Sequence, residues 1–156
     1  MSNAILLVED DENDIFFMKR AFKDAGIFNP LRVSQDGREA MDYLGGDGVY
    51  ADREKFPLPC LALLDLKLPR VMGLELLKWV REQPELTSLV VIIFSSSQVG
   101  HDIDMAYQLG ANAFLVKPSG PLELREIAVG IKQFWLDDHR GSTPFRRSAE
   151  LIGSPA

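Results

Sequence analysis

Five short, mostly apolar segments alternate along the chain with segments of helical periodicity, and this alternation restricts the fold more than any other feature. Strands that are apolar on both faces belong in a parallel sheet that is covered by helices on both sides. Because crossovers between parallel strands are right-handed, few topologies remain. The sequence therefore predicts an α/β, doubly wound sheet. The predicted strands span residues 5–8, 31–34, 61–65, 89–94 and 113–116.

Each predicted strand is followed by a segment whose apolar residues recur at helical spacing, typical of a helix with one buried face. The last of them repeats Leu124, Ile127, Ile131 and Phe134. The segment between residues 45 and 59 has three glycines and two prolines, and we predict a long polar loop there. The predicted helices span residues 13–25, 38–44, 74–81, 103–109 and 122–136.

Length and charge place the chain among single globular domains. Its 156 residues suit one domain, which we assign to residues 3–136, and the pattern fails in residues 137–156, which we interpret as a flexible or partner-dependent tail. The net charge of −6 argues against nucleic-acid binding. No apolar run approaches the ~20 residues that span a bilayer, and Cys60, the single cysteine, cannot form an internal disulfide. We expect a cytoplasmic protein.

Polar residues capable of chemistry stand at the ends of four predicted strands. Glu9 and Asp10 follow the first strand, and Asp65 closes the third. Ser95 and Lys117 follow the fourth and fifth strands. Parallel strands bring their carboxyl ends to one edge of the sheet, where open α/β folds bind their ligands. We therefore expect these side chains to meet.

The chemistry of this group is that of phosphoryl transfer. Crowded carboxylates at Glu9, Asp10 and Asp65 need a cation, and oxygen ligands of this kind favour Mg²⁺. Lys117 supplies a positive charge and Ser95 a hydroxyl donor. A carboxylate nucleophile, a metal, a lysine and a hydroxyl together indicate phosphorylation of Asp65.

These residues resemble the response-regulator receiver domain of two-component signalling over about residues 3–136. The resemblance rests on the acidic pair, the strand-end Asp65, the Pro69 and Gly73 spacing after it, Ser95, Phe114 and Lys117-Pro118. It implies a flavodoxin-like receiver fold with strand order 2-1-3-4-5. The 45–59 loop and the residues 131–135 are similar to single-domain regulators that work with bacterial phytochromes.

The resemblance also implies roles for individual residues. Asp65 is the phosphoacceptor, and Glu9, Asp10, Asp65 and the backbone carbonyl of Lys67 are the metal ligands. Ser95 and Lys117 contact the phosphoryl group. Ser95 and Phe114 form the switch, with Phe114 turning from an exposed to a buried rotamer, and the Lys117–Pro118 peptide is cis.

The resemblance implies that the protein is a stand-alone response regulator. We do not expect it to be an enzyme, although it assists its own phosphorylation and dephosphorylation. A sensor histidine kinase, expected to be a bacteriophytochrome, supplies the phosphoryl group. The output is contact with a downstream protein or with a second copy of the chain, or else onward phosphotransfer, without nucleic acid or membrane. We expect this contact on the face of the fourth helix, fifth strand and fifth helix, which includes Tyr107.

Three alternatives remain at this point. The chain could be a receiver-like interaction module that no longer takes phosphate. A phosphatase of the haloacid-dehalogenase type also uses a strand-end aspartate, but it needs a second aspartate where this chain has Lys67. A flavodoxin-like nucleotide- or flavin-binding domain needs a phosphate loop after the first strand, where this chain has Glu9, Asp10 and Asp11.

Overall fold

A parallel five-stranded sheet organises residues 2–137, the part of the chain that the computed structural model describes. The strand order is β2-β1-β3-β4-β5, and every neighbouring pair is parallel. The predicted fold and strand order are therefore confirmed. The strands are β1 Ile5–Val8, β2 Leu31–Ser34, β3 Leu61–Leu64, β4 Val90–Ser95 and β5 Ala113–Val116.

Five α-helices connect and cover the strands, as the periodicity predicts. The fourth begins at Gly100 rather than at residue 103. The fifth ends at Ile131 and continues as a π-helical turn over Lys132–Leu136, so the last predicted helix consists of two kinds of helix. The helices are α1 Glu12–Asp24, α2 Gly37–Gly45, α3 Gly73–Glu82, α4 Gly100–Gln108 and α5 Pro121–Ile131.

Two hydrophobic cores lie on the two faces of the sheet, because successive strand residues point to opposite sides. Leu6 and Val8 of β1 face the core beneath α2, α3 and α4. Ile5 and Leu7 face the core beneath α1 and α5. All four side chains are buried, which fixes β1 in the interior of the sheet between β2 and β3 and holds the residues that follow it at one edge.

The loop between α2 and β3 is polar, as predicted, but an arginine side chain holds it in place. Arg53 donates hydrogen bonds to the carbonyl oxygens of Tyr43 and Phe56 at 2.8 and 3.1 Å, and to that of Leu44 at 3.0 Å. The rings of Tyr43 and Tyr50 stack with centroids 5.4 Å apart. The hydrogen bonds of Arg53 satisfy two carbonyls in the last turn of α2 and one in the loop, and so tie the loop to the end of that helix.

The C-terminal end of the described residues packs against the α1 side of the sheet, where Trp135 and Leu136 are partly buried. The tail predicted for residues 137–156 lies outside the described residues, apart from Asp137. Among residues 2–137, no helix combines the length and the apolar character needed to cross a bilayer.

The segment between β3 and α3 is folded tightly against its own strand. The N–H of Gly73 donates to the carbonyl oxygen of Leu66 at 2.9 Å. A Cβ at Gly73 would lie 2.1 Å from the Asp65 carbonyl oxygen and 2.8 Å from the Leu66 Cα. Glycine is required here by the close approach of backbone to backbone.

Gly73→Ala is therefore expected to lower the free energy of unfolding by about 1–3 kcal/mol, because the added methyl group collides with backbone that cannot rotate away. Gly100→Ala is the matched control. A Cβ at Gly100, the first residue of α4, meets nothing within 4 Å. Urea unfolding followed by far-UV circular dichroism measures both variants. Equal stability of the two variants would contradict the packing argument.

Candidate functional site

Four of the five side chains predicted at the strand ends, those of Glu9, Asp10, Asp65 and Lys117, converge at the carboxyl edge of the sheet, and Ser95 lies buried at the end of β4. Backbone hydrogen bonds continue past the strands and hold the first residues of each loop. The N–H of Asp65 donates to the Val8 carbonyl at 3.1 Å, and that of Lys117 donates to the Ser95 carbonyl at 2.8 Å. The sheet itself therefore positions Asp65 and Lys117 at this edge.

Lys117 is the centre of a buried ionic cluster. Its Nζ lies 2.6 Å from Glu9 Oε1 and 2.9 Å from Asp65 Oδ2. It also lies 2.9 Å from Asp14 Oδ2. Only 15% of the lysine side chain and 4% of the Glu9 side chain are exposed. Water screens these charges weakly, so the pairing is stronger than that of a surface ion pair.

Burial and pairing shift the acid–base properties of two of these groups. Burial raises the pKa of Glu9 to about 7, although the hydrogen bonds from Lys117 and from the Asp11 N–H oppose the shift. Burial alone would lower the pKa of Lys117, but hydrogen bonds to Glu9, Asp14 and Asp65 outweigh it and raise that pKa above its usual value. The lysine is therefore a permanent ammonium group.

Carboxylate oxygens of Glu9, Asp10 and Asp65 all lie within 4.8 Å of one another and can hold a divalent cation together. Three hard oxygen donors at this spacing fit Mg²⁺, which takes one or two carboxylates and keeps the rest of its shell for water or phosphate. They border an open, polar cleft of about 630 Å³. Exposed Lys67, whose carbonyl we expect to be a further ligand, lines the same cleft.

Ser95 is buried at the end of β4, where its hydroxyl oxygen accepts a hydrogen bond from the Ser97 N–H at 3.2 Å. Ser97 in turn donates its hydroxyl to Asp102 Oδ2 at 2.7 Å. Asp102 lies in the first turn of α4. A chain of two hydrogen bonds thus connects the predicted switch hydroxyl to a helix, and Asp102 was not anticipated from the sequence.

Two predictions about this edge are wrong. The described residues contain no cis peptide bond, so the Lys117–Pro118 bond is trans. The trans chain still delivers Lys117 to Asp65, because the lysine stem is long enough to reach back across the edge. Phe114 is buried, with 2% exposure, so the expected exposed starting rotamer is absent. Its side chain already fills the core beneath α4.

Asp14 is a second residue near the site that sequence reasoning missed. The side chain of Asp11 caps that helix, accepting from the N–H groups of Asn13 and Asp14 at 2.8 and 3.0 Å. The cap fixes the first turn so that the Asp14 carboxylate points at Lys117. The position of Asp14, five residues after Glu9 on the first helical turn, was the available indication.

An apolar groove opens beside the ionic cluster, with a volume of about 450 Å³. Phe17 of α1 and Leu124 of α5 line it, together with Pro118 in the segment between β5 and α5 and Pro121, the first residue of α5. Phe16, Phe17 and Leu122 are 59%, 47% and 71% exposed. Phe17 lines the groove beside Lys117, and a large exposed apolar side chain in this position indicates a contact surface.

The sequence profile of the response regulator receiver domain matches residues 5–129. The chain therefore belongs to the response regulator receiver family, whose members are typically signalling proteins and bind Mg²⁺ at an acidic site. Mg²⁺ is accordingly the cofactor of this chain, and the chain is a component of two-component signalling.

Several relatives cover nearly the whole chain. Response regulator Rcp1 of Synechocystis sp. is 35% identical over 134 residues, which are 86% of this chain and 89% of that protein. The probable methanogenesis regulatory protein FilR2 of Methanothrix harundinacea is 32% identical over 145 residues, 90% of this chain and 88% of its own.

Solved structures agree with these relatives. The phosphorylated cyanobacterial phytochrome response regulator RcpA superimposes with a TM-score of 0.81 at 34% identity, covering 88% of this chain and 96% of RcpA. The Mn²⁺-bound form of Rcp1 superimposes with a TM-score of 0.79 at 34% identity, covering 87% and 96%. Phytochrome-associated regulators are thus among the relatives of this chain.

Proposed function

We propose that this protein is a stand-alone response regulator that accepts a phosphoryl group on Asp65 from a sensor histidine kinase. The observation that carries the proposal is the environment of Asp65. Its Oδ2 lies 2.9 Å from the Lys117 ammonium, and its carboxylate belongs to the three-carboxylate cluster that fits Mg²⁺. Similarity to Rcp1 over most of both chains supports the stand-alone architecture.

The reaction is a transfer from a phosphohistidine to a carboxylate. An Asp65 oxygen forms a bond to phosphorus while the phosphorus–nitrogen bond of the donor breaks. The electron pair of that bond returns to the nitrogen, and the imidazole leaves neutral because its other ring nitrogen carries a proton. Mg²⁺, when bound at Glu9 and Asp10, neutralises charge on the phosphoryl oxygens. Lys117 supplies a second positive charge at the same group. Hydrolysis of the acyl phosphate later returns Asp65 to its carboxylate, so the protein is a phosphoacceptor rather than an enzyme with a separate substrate.

The donor is proposed to reach Asp65 along the apolar groove. The groove borders Lys117 and carries the exposed Phe17 on α1, so a helix with one apolar face could lie there and present a histidine to the cleft. Solved structures described as phytochrome or bacteriophytochrome response regulators support a bacteriophytochrome as the kinase. The proposed location of this exchange is the cytoplasm.

Output is proposed to pass through Ser95 to α4. A phosphoryl oxygen on Asp65 accepts a hydrogen bond from the Ser95 hydroxyl, and Ser95 already accepts from the Ser97 N–H. Ser97 holds Asp102 of α4 at 2.7 Å, so movement of Ser95 is transmitted to this helix. The face formed by α4, β5 and α5 then binds a downstream protein or a second copy of the chain. A ligand shifts such an equilibrium only by its differential affinity for the two states.

Ser95→Ala is therefore expected to accept phosphate at Asp65 but to respond weakly in α4. The lost charge-assisted hydrogen bond contributes about 1.5–3 kcal/mol to the conformational bias. Hydrogen exchange over residues 100–116, with and without phosphorylation, measures the response. Thr87→Ala is a control on the exposed surface. Changes in Ser95→Ala as large as those in the unmodified sequence would refute this route.

The function itself is tested by incubating the protein with acetyl phosphate and Mg²⁺ and recording the intact mass. We expect one added phosphoryl group per chain. A protein that gains no phosphate from acetyl phosphate or from a histidine kinase would be a receiver-like interaction module instead.

A further inference from the structure

We propose that Asp14 is a positioning residue that keeps the Lys117 ammonium directed at the phosphoryl site throughout the reaction. The inference rests on the proposed phosphorylation of Asp65 and concerns the same site. An ammonium group has three N–H donors and no acceptor. In this structure the three partners of Lys117 are Glu9, Asp14 and Asp65, so each donor has one carboxylate.

The three partners differ in what happens to them when the site is in use. Glu9 and Asp65 both belong to the cluster that holds Mg²⁺, so their oxygens are shared with the metal. Asp65 also loses its negative charge when one of its oxygens forms the bond to phosphorus. Asp14 is outside the cluster that can hold the cation and is not esterified, so its attraction for Lys117 persists in every state.

The local structure suits Asp14 for this role. Asp14 lies in the first turn of α1, and its backbone N–H is fixed by the Asp11 cap at 3.0 Å. Its side chain is 42% exposed, whereas those of Glu9 and Lys117 are nearly enclosed. Asp14 therefore approaches Lys117 from the open side of the cluster and borders both the polar cleft and the apolar groove.

Without Asp14, the lysine has only anionic partners that the metal also needs. The ammonium would then be drawn more strongly to Glu9 and Asp65, where it competes with Mg²⁺, and its third donor would have no fixed direction. Both effects slow phosphoryl transfer, because catalysis by a charge depends on its position.

The first test is the initial rate of phosphorylation by acetyl phosphate at saturating Mg²⁺, followed by intact mass. Asp14→Asn is expected to lower this rate about tenfold, which is the scale of one charge-assisted hydrogen bond. Asp14→Glu should recover most of the rate, because it restores the carboxylate. Glu12→Gln is the matched control, since it removes one exposed carboxylate from the same helical turn. An unchanged rate in Asp14→Asn, or an equal loss in Glu12→Gln, would overturn the proposal.

The second test measures Mg²⁺ affinity by calorimetry and needs no phosphorylation. Asp14→Asn is expected to weaken Mg²⁺ binding about threefold more than Glu12→Gln does, and this excess should disappear in the Lys117→Met background. An excess that persists without the lysine would mean that Asp14 acts on the metal directly, and the proposal would be wrong. These Mg²⁺ affinities are measured without phosphate. If the unmodified protein could not be phosphorylated, the proposed function would be refuted, but the comparison of Mg²⁺ affinities would still decide the role of Asp14.

Discussion

Asp65→Asn is expected to gain no detectable phosphate from acetyl phosphate, under conditions in which the unmodified protein is phosphorylated to completion. The amide has no anionic oxygen to attack phosphorus, so the loss is complete rather than partial. The fold should persist. Asparagine has nearly the same size, and its carbonyl oxygen can still accept the hydrogen bond that the Leu66 N–H donates to Asp65 Oδ1 at 2.7 Å.

Intact mass spectrometry measures the result, and Asp24→Asn serves as the control. Asp24 is an exposed carboxylate at the end of α1 and should leave phosphorylation unchanged. Phosphate that remains on Asp65→Asn would place the nucleophile on another residue, and peptide mapping would locate it. Glu9 and Asp10 would then be the first residues to consider.

Removal of the metal is expected to have an effect of similar size. Excess EDTA should stop phosphorylation, because Lys117 alone then faces the charge of the phosphoryl group and the carboxylates. Asp10→Ala should also lose activity, although the metal-free protein should become slightly more stable, since one of three crowded carboxylates is removed. Phosphorylation at full rate in EDTA would refute the role of the metal.

The metal should also bind more tightly as the pH rises to about 7. Burial raises the pKa of Glu9 to about 7, and the metal requires its anion, so Mg²⁺ must displace a proton at lower pH. Calorimetry at about pH 6 and about pH 8 should show weaker binding at the lower pH. In the metal-free protein, the contribution of Glu9 to stability is greatest at low pH and is lost as the pH rises from 4.5 through 7, since the folded state binds this proton more tightly.

The strands and their common edge could be predicted from the sequence because they follow from strong, local patterns. The apolar run at 61–64 must be buried on both faces, and Asp65 directly after it must lie at the edge. The same reasoning placed Glu9 and Lys117. Convergence then required only that the strands be parallel, and alternation with helices supplied that condition.

What could not be predicted depends on distances between elements rather than on patterns within them. The contact of Asp14 with Lys117 depends on how the first turn of α1 is rotated over the sheet edge, and the Asp11 cap sets that rotation. The order of the 45–59 loop depends on one guanidinium reaching three carbonyls. The sequence shows that the loop contains Arg53, but it does not show which carbonyl groups the guanidinium contacts. The burial of Phe114 likewise depends on the space that α4 leaves above it.

The ionic cluster also makes the site dependent on the last strand of the domain. Glu9 and Lys117 are 108 residues apart in sequence, so their contact closes one of the longest loops in the fold. A chain in which β1, β3 and β4 have paired but β5 has not would hold its carboxylates together without their internal counter-ion. Docking of β5 therefore completes the sheet and neutralises the site in one event. If Asp65 is phosphorylated as proposed, a partly folded molecule would lack the charge balance at the site, and phosphate uptake would be restricted to molecules that have finished folding.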